Sequence, residues 1–246
     1  PIPINSTKSG KQLKKMKIEE IINQRKNQRE SSPSNSNRTY RLHGKRIDLN
    51  TFDAERFWKF ELVESMKKVC PTFVINQENK PLLNTLYRYA WRMETGPLDP
   101  TKGLLLWGGL GVGKSTLLKG LQDYEMKMNR YTYHSECPIL GFHLTSATEI
   151  SLHYAEKGVD AIVAYAGKRN LASDEVGREP LSAKHYGTQA NAIQLILQLR
   201  YEKRFEGNSH LTTNLDPDSE FGIYGDFVVD RIKDMFNVVR INGESR

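Results

Sequence analysis

Gly108-Gly109-Leu110-Gly111-Val112-Gly113-Lys114-Ser115 fits Gly-x-x-x-x-Gly-Lys-Ser/Thr, the pattern of a phosphate-binding loop. The match carries a structural demand: a buried strand must enter the loop and a helix must leave it. Both are legible. Leu104-Leu105-Leu106-Trp107 is a short apolar run of the kind found in strands covered on both faces. Leu117, Leu118 and Leu121 follow at helical spacing. Glycines let successive backbone N–H groups turn inward into an anion nest, and the helix N-terminus adds its positive end. Lys114 would reach the β- and γ-phosphates as a point charge, and the Ser115 hydroxyl would ligate Mg²⁺. The candidate nucleotide-binding residues are therefore Gly108, Gly109, Leu110, Gly111, Val112, Gly113, Lys114, Ser115 and Thr116.

From residue 102 onward, strand and helix signals alternate. Strands are predicted at residues 104–107, 141–146, 169–174, 210–214 and 237–241. A helix is predicted across Tyr186, Ala190, Ile193, Leu197 and Tyr201, whose steps of three and four residues suit one helical face. Alternating β and α elements argue for an α/β fold with a parallel five-stranded sheet sandwiched by helices. Upstream, the spacing of Leu82, Leu83, Leu86, Tyr87, Tyr89 and Trp91 predicts another helix, ended by Gly96-Pro97-Leu98-Asp99-Pro100. Three regions follow: a basic flexible arm over residues 1–50, a helical lead-in over 51–100 and a nucleotide-binding core over 101–246. Phe57, Trp58 and Phe60 in the lead-in suit a small helical core or base stacking.

Asn170-Leu171-Ala172-Ser173-Asp174-Glu175 reads as a strand ending in two carboxylates. Asp174 is the candidate Mg²⁺ partner through its water shell, and Glu175 the candidate general base that polarises the attacking water. His210-Leu211-Thr212-Thr213-Asn214 is a second strand whose carboxyl end would carry Asn214 towards the γ-phosphate.

The charge distribution adds a partner expectation. Residues 1–50 hold 12 Lys and Arg against 4 Asp and Glu, whereas the remaining residues hold 24 against 25. The whole net charge of +7 thus belongs to the arm, which suggests an anionic partner, nucleic acid or an acidic protein face. Leu13, Met16, Ile18, Ile21 and Ile22 form a thin apolar stripe there, followed by a Ser/Asn linker over residues 31–37. Residues 38–50 are expected to be partly extended. Two cysteines, Cys70 and Cys137, exclude a disulfide scaffold. No apolar run is long enough for a membrane helix, and no apolar h-region marks a secretory signal, so a cytoplasmic location is expected. Neither Leu-Ser-Gly-Gly nor Asn-Lys-x-Asp occurs, which argues against transporter ATPases and GTPases.

Together these elements resemble the DnaC-type helicase loaders and the related IstB-type transposition ATPases of the AAA+ superfamily. Besides the phosphate loop, the resemblance rests on Asp174-Glu175-Val176-Gly177, Arg200-Tyr201-Glu202-Lys203-Arg204, Leu211-Thr212-Thr213-Asn214 and Tyr224-Gly225-Asp226-Phe227-Val228-Val229-Asp230-Arg231. It implies an AAA+ P-loop ATPase that binds ATP with Mg²⁺ and hydrolyses it. It implies catalytic roles for Lys114, Glu175 and Asn214, and an arginine finger at Arg231 that enters a neighbour's site in a homo-oligomer. Arg246 falls where the family has its second-sensor arginine, although the small C-terminal lid would be nearly absent or cut off. The implied partner is a replicative helicase with single-stranded DNA, or a transposase in the IstB-like alternative. A nucleotide-switch adaptor with little hydrolysis is a third reading, suggested by the polar Ala172-Ser173 before Asp174.

Overall fold

The computed structural model describes residues 39–42, 45–48, 54–93, 95–132, 141–204 and 206–243. The expected helix and linker of residues 8–37, Cys137 and Arg246 lie outside them. The extended reading of residues 38–50 corresponds to an antiparallel hairpin of β1 (Thr39–Leu42) and β2 (Lys45–Asp48).

Five strands form one sheet: β3 (Gly103–Trp107), β4 (His143–Ser146), β5 (Leu171–Val176), β8 (Ser209–Thr213) and β9 (Phe236–Arg240). They lie in the order β4-β5-β8-β3-β9, and every neighbouring pair is parallel. Each strand falls within two residues of its predicted place. The topology has one reversal: the chain leaves β3 for the far edge at β4, fills back to β8, then crosses to β9 on β3's other side. The crevice at the carboxyl ends of β3 and β8 is the switch point where such sheets bind ligands.

The strand residues alternate between two cores. Leu104 and Leu106 face α1 (Ala54–Val69), α2 (Lys80–Ala90) and α3 (Lys114–Thr132), packing with Trp58, Leu62, Met66, Leu86 and Leu118. Leu105 and Leu211 face the other layer, with Ile150 of α4 (Ala147–Lys157), Ile162 of α5 (Val159–Ala166), Ile196 of α6 (Ala192–Glu202) and Ile232 of α7 (Asp226–Met235). The lead-in helices therefore share a core with the sheet. Trp58 is buried there against Phe57, Trp91 and Tyr124, while Phe60 is exposed.

One predicted element is corrected. The helix expected from Tyr186 begins only at Ala192, capped by the Asn191 side chain accepting from the Gln194 N–H at 3.0 Å. Tyr186 and Ala190 belong instead to a hairpin of β6 (Ala183–His185) and β7 (Thr188–Ala190). The positive φ of Tyr186 (44°) and Gly187 (87°) cannot continue a right-handed helix.

Between the layers sits a buried imidazole. The His210 Nδ1 accepts from the Leu104 N–H at 3.2 Å, and its ring packs against Phe142 at 4.6 Å. Burial, then Arg92 and Arg200, push its pKa down to about 3. An unfolded imidazole takes up its proton near 6.5, so between that pH and about 3 the unfolded chain binds more protons. Stability therefore falls on acidification. From pH 7 to 5 this one group would remove about 2 kcal/mol, or roughly 4–8 °C of Tm. A His210→Gln variant followed by thermal unfolding should show a shallower fall; parallel curves would contradict this.

Candidate nucleotide site

β3 delivers the chain to Gly108, and α3 starts at Lys114. Gly108, Gly111 and Gly113 all have positive φ, which bends the loop around the helix N-terminus. At Gly113 (φ 95°) a Cβ would meet no protein atom within 4 Å. The left-handed backbone, not crowding, therefore demands glycine there.

Lys114 is only 8% exposed. Its ammonium donates to the Gly108 carbonyl at 2.8 Å, the Gly109 carbonyl at 2.6 Å and the Asn214 Oδ1 at 2.7 Å. Burial lowers its pKa; Asp174 opposes this, Arg178 adds to it and Glu175 opposes it. All three groups thus lie within electrostatic reach of the cation.

Asp174 closes the other side. The Ser115 Oγ donates to the Asp174 Oδ1 at 2.7 Å, and the Thr212 Oγ1 donates to the same oxygen at 2.5 Å. Lys119 approaches the Asp174 Oδ2 at 3.2 Å. The nearly buried carboxylate and its two hydroxyls are hard oxygen donors that suit Mg²⁺ through a water shell, with Lys119 as the cation that Mg²⁺ would displace from Asp174. Ser115 and Asp174 are the residues that would hold it.

Glu175 sits in a bulge. The β5–β8 register shifts between Ser173 and Val176, and Glu175 has φ 60°. Its N–H donates to the Thr212 Oγ1 at 2.8 Å. Bulges re-aim side chains; here the carboxylate is half exposed and accepts from Arg178 at 2.8 Å. Behind it, the buried Glu179 accepts from the Gly177 N–H at 2.8 Å and from the Tyr224 hydroxyl at 2.5 Å. That bond ties the carboxylate loop to the segment that precedes α7.

Lys114, Ser115, Asp174 and Asn214 are therefore joined by direct bonds within or across the loop and the β5 and β8 ends, with Glu175 linked through Thr212. The nest glycines and Leu110, which is exposed, form the loop itself; Val112 packs against the core, and Thr116 lies in the first turn of α3. Arg231 joins none of these bonds. It lies on α7, its guanidinium 3.7 Å from the Phe227 ring centre and 4.9 Å from that of Tyr201. It donates to the Phe227 carbonyl at 3.4 Å and approaches Asp230 at 3.6 Å. Its buried Nε has no hydrogen-bond partner among the described residues, and it lines an open cavity of about 460 Å³ with Asp226, Phe227, Val229 and Asp230.

Sequence reading missed Thr212, Lys119 and Arg178. Only Thr212 left a signal: a hydroxyl in a fully buried strand must find a polar partner.

No protein-family model matches the sequence, and no curated protein matches it. Solved structures match in fold. A DNA replication initiation factor superposes with a TM-score of 0.50 at 16% identity, over 71% of this chain and 49% of that one. A candidate primosome component from Streptococcus pyogenes serotype M3 gives 0.50 at 19% identity, over 71% and 85%. DnaI gives 0.50 at 18% identity, over 74% and 92%. The chain spans about half the length of the initiation factor. At these identities the likeness is one of fold alone. Among the described residues no helix is long and apolar enough to cross a membrane.

Proposed function

We propose that this protein is an ATP-binding and ATP-hydrolysing AAA+ protein of DNA replication. In this reading it loads or remodels a replicative helicase on single-stranded DNA, as a homo-oligomer in its ATP state. The observation that carries the reading is the convergence of Lys114, Ser115, Asp174 and Asn214 at the carboxyl ends of β3, β5 and β8. The fold likeness to a DNA replication initiation factor and to DnaI supports the replication setting.

Each residue then has a task. The loop N–H groups and Lys114 bind the β- and γ-phosphates, and Lys114 exchanges its bonds to Gly108 and Gly109 for phosphate oxygens. Ser115 and Asp174 hold Mg²⁺, which supplies charge neutralisation on the phosphates. Glu175 takes a proton from the attacking water. Asn214, already bonded to Lys114, orients water and cation together. Arg231, whose Nε has no hydrogen-bond partner among the described residues and which lines an open cavity, is the finger offered to a neighbouring chain. We assign Arg246 to the second sensor on family position alone. The basic arm of residues 1–50 is the proposed partner-binding segment, residues 51–100 its helical lead-in and residues 101–246 the ATPase core.

A switch with little hydrolysis is the second reading, favoured by the bond that ties Glu175 to Arg178. The test of the partner is co-elution: Glu175→Gln protein held with Mg-ATP, mixed with the replicative helicase of the same host. The expected result is a complex that forms with ATP and not with ADP. No complex with the helicase, and an ATP-dependent complex with a transposase, would replace the loader reading by the transposition-helper one.

A further inference from the structure

The β6–β7 hairpin carries a residue that folding does not explain. Its two strands pair in register, Ala183 with Ala190, Lys184 with Gln189 and His185 with Thr188, leaving Tyr186 and Gly187 as a two-residue turn. Both turn residues have positive φ, 44° and 87°, the backbone of a type I′ turn. Asn-Gly is favoured there because asparagine tolerates the left-handed region, whereas a bulky aromatic is strained in it. Strain of this kind is kept where it serves a site. Tyr186 draws no burial in return: it is 96% exposed, and its one described ring contact is edge-on to His185, with centroids 4.5 Å apart.

The hairpin is nevertheless rigidly mounted. Ala183 is buried in the core, and the His185 Nδ1 lies 3.0 Å from the Ala155 carbonyl. The same ring packs so closely on Gly158 that a Cβ there would come within 2.5 Å of it. The structure thus holds out a tyrosine on a stiff arm, starting eight residues after Glu175 and ending at the cap of α6.

The hairpin's own segment selects the ligand, the exposed Glu156 and Asp160 lying beside its mount on Ala155 and Gly158. Residues 180–201 contain no Asp or Glu, and Lys184, Thr188 and Gln189 are exposed beside the tip. An exposed aromatic face with a lysine and hydrogen-bonding side chains, free of carboxylates on its own segment, suits a polyanion with accessible ring faces. That is single-stranded nucleic acid, whose unstacked bases stack on aromatic side chains while cations follow the backbone. We propose that the β6–β7 tip is a single-stranded DNA contact in which Tyr186 stacks on a base and Lys184 meets the phosphate backbone. This rests on the single-stranded-DNA part of the function proposed above.

The test is fluorescence anisotropy of the full chain with Mg-ATP, using a labelled oligothymidine and an abasic strand of equal length. Tyr186→Ala and Tyr186→Asn should weaken oligothymidine binding about tenfold or more and leave abasic binding unchanged, with Tyr186→Trp near wild type. Tyr186→Asn should also unfold at or above the wild-type Tm, because it relieves the turn, so its lost affinity would not reflect misfolding. Wild-type binding undiminished in both variants overturns the hairpin contact and leaves single-stranded DNA binding standing. A wild-type chain that binds neither strand overturns the DNA reading itself, and the hairpin contact with it.

Discussion

Replacing Glu175 by glutamine is expected to lower ATP turnover by roughly 10²–10⁴-fold while leaving ATP affinity within a factor of a few. The amide has the size of the carboxylate but cannot accept the proton that the attacking water must lose. The local backbone should survive. What holds Glu175 at φ 60° is its own N–H bond to Thr212, which a glutamine also makes. The half-exposed ion pair with Arg178 is weak in stability terms, since such pairs contribute at most about 1 kcal/mol. Phosphate release and equilibrium ATP titration on the same preparation check the two halves of the expectation. Turnover that is undiminished would remove Glu175 as the base; lost ATP binding would make it a ligand-holding residue instead.

Lys114→Ala is the second large effect. Its ammonium satisfies three acceptors at 2.6–2.8 Å in a nearly buried position. Those bonds pre-aim the cation at the mouth of the loop. Hydrogen bonds to charged groups contribute about 1.5–3 kcal/mol each, so losing the cation should weaken ATP binding roughly 10²-fold. The thermal stabilisation that ATP gives the wild type should shrink with it, because that stabilisation follows ligand concentration over Kd. A titration in which Lys114→Ala binds ATP as the wild type does would show that this loop is not the phosphate site.

The legible and the illegible parts of the fold separate along physical lines. β3 and β8 could be read because burial on both faces leaves a trace in a strand's composition, whereas the edge strands β4 and β9 are half exposed and left only short apolar runs. The phosphate loop could be read because its glycines and Lys114 answer to local geometry. Asp174 and Glu175 stand out for the same reason, as two carboxylates near the end of a short strand. The hairpin at residues 183–190 was not. The four-residue step from Tyr186 to Ala190 and the three-residue step to Ile193 match a helical face, and periodicity alone cannot weigh the turn made by Gly187. Tertiary contacts left still less trace. Nothing in the spacing of Lys119 or Arg178 says that one meets Asp174 and the other Glu175. The register shift after Ser173 that turns Glu175 outward arises from pairing with β8, more than thirty residues away. Likewise the packing of Arg231 on Phe227 and Tyr201 joins two helices whose meeting no local signal encodes.

In the proposed function this chain hydrolyses ATP in an assembled state, with Arg231 of one copy completing the site of another. The decisive experiment is ATP turnover per chain measured across a wide range of protein concentration at saturating Mg-ATP. The expected result is turnover per chain that rises with concentration to a plateau and is lost in Arg231→Ala, which still binds ATP. Turnover absent at every concentration, or present and independent of both concentration and Arg231, would contradict it.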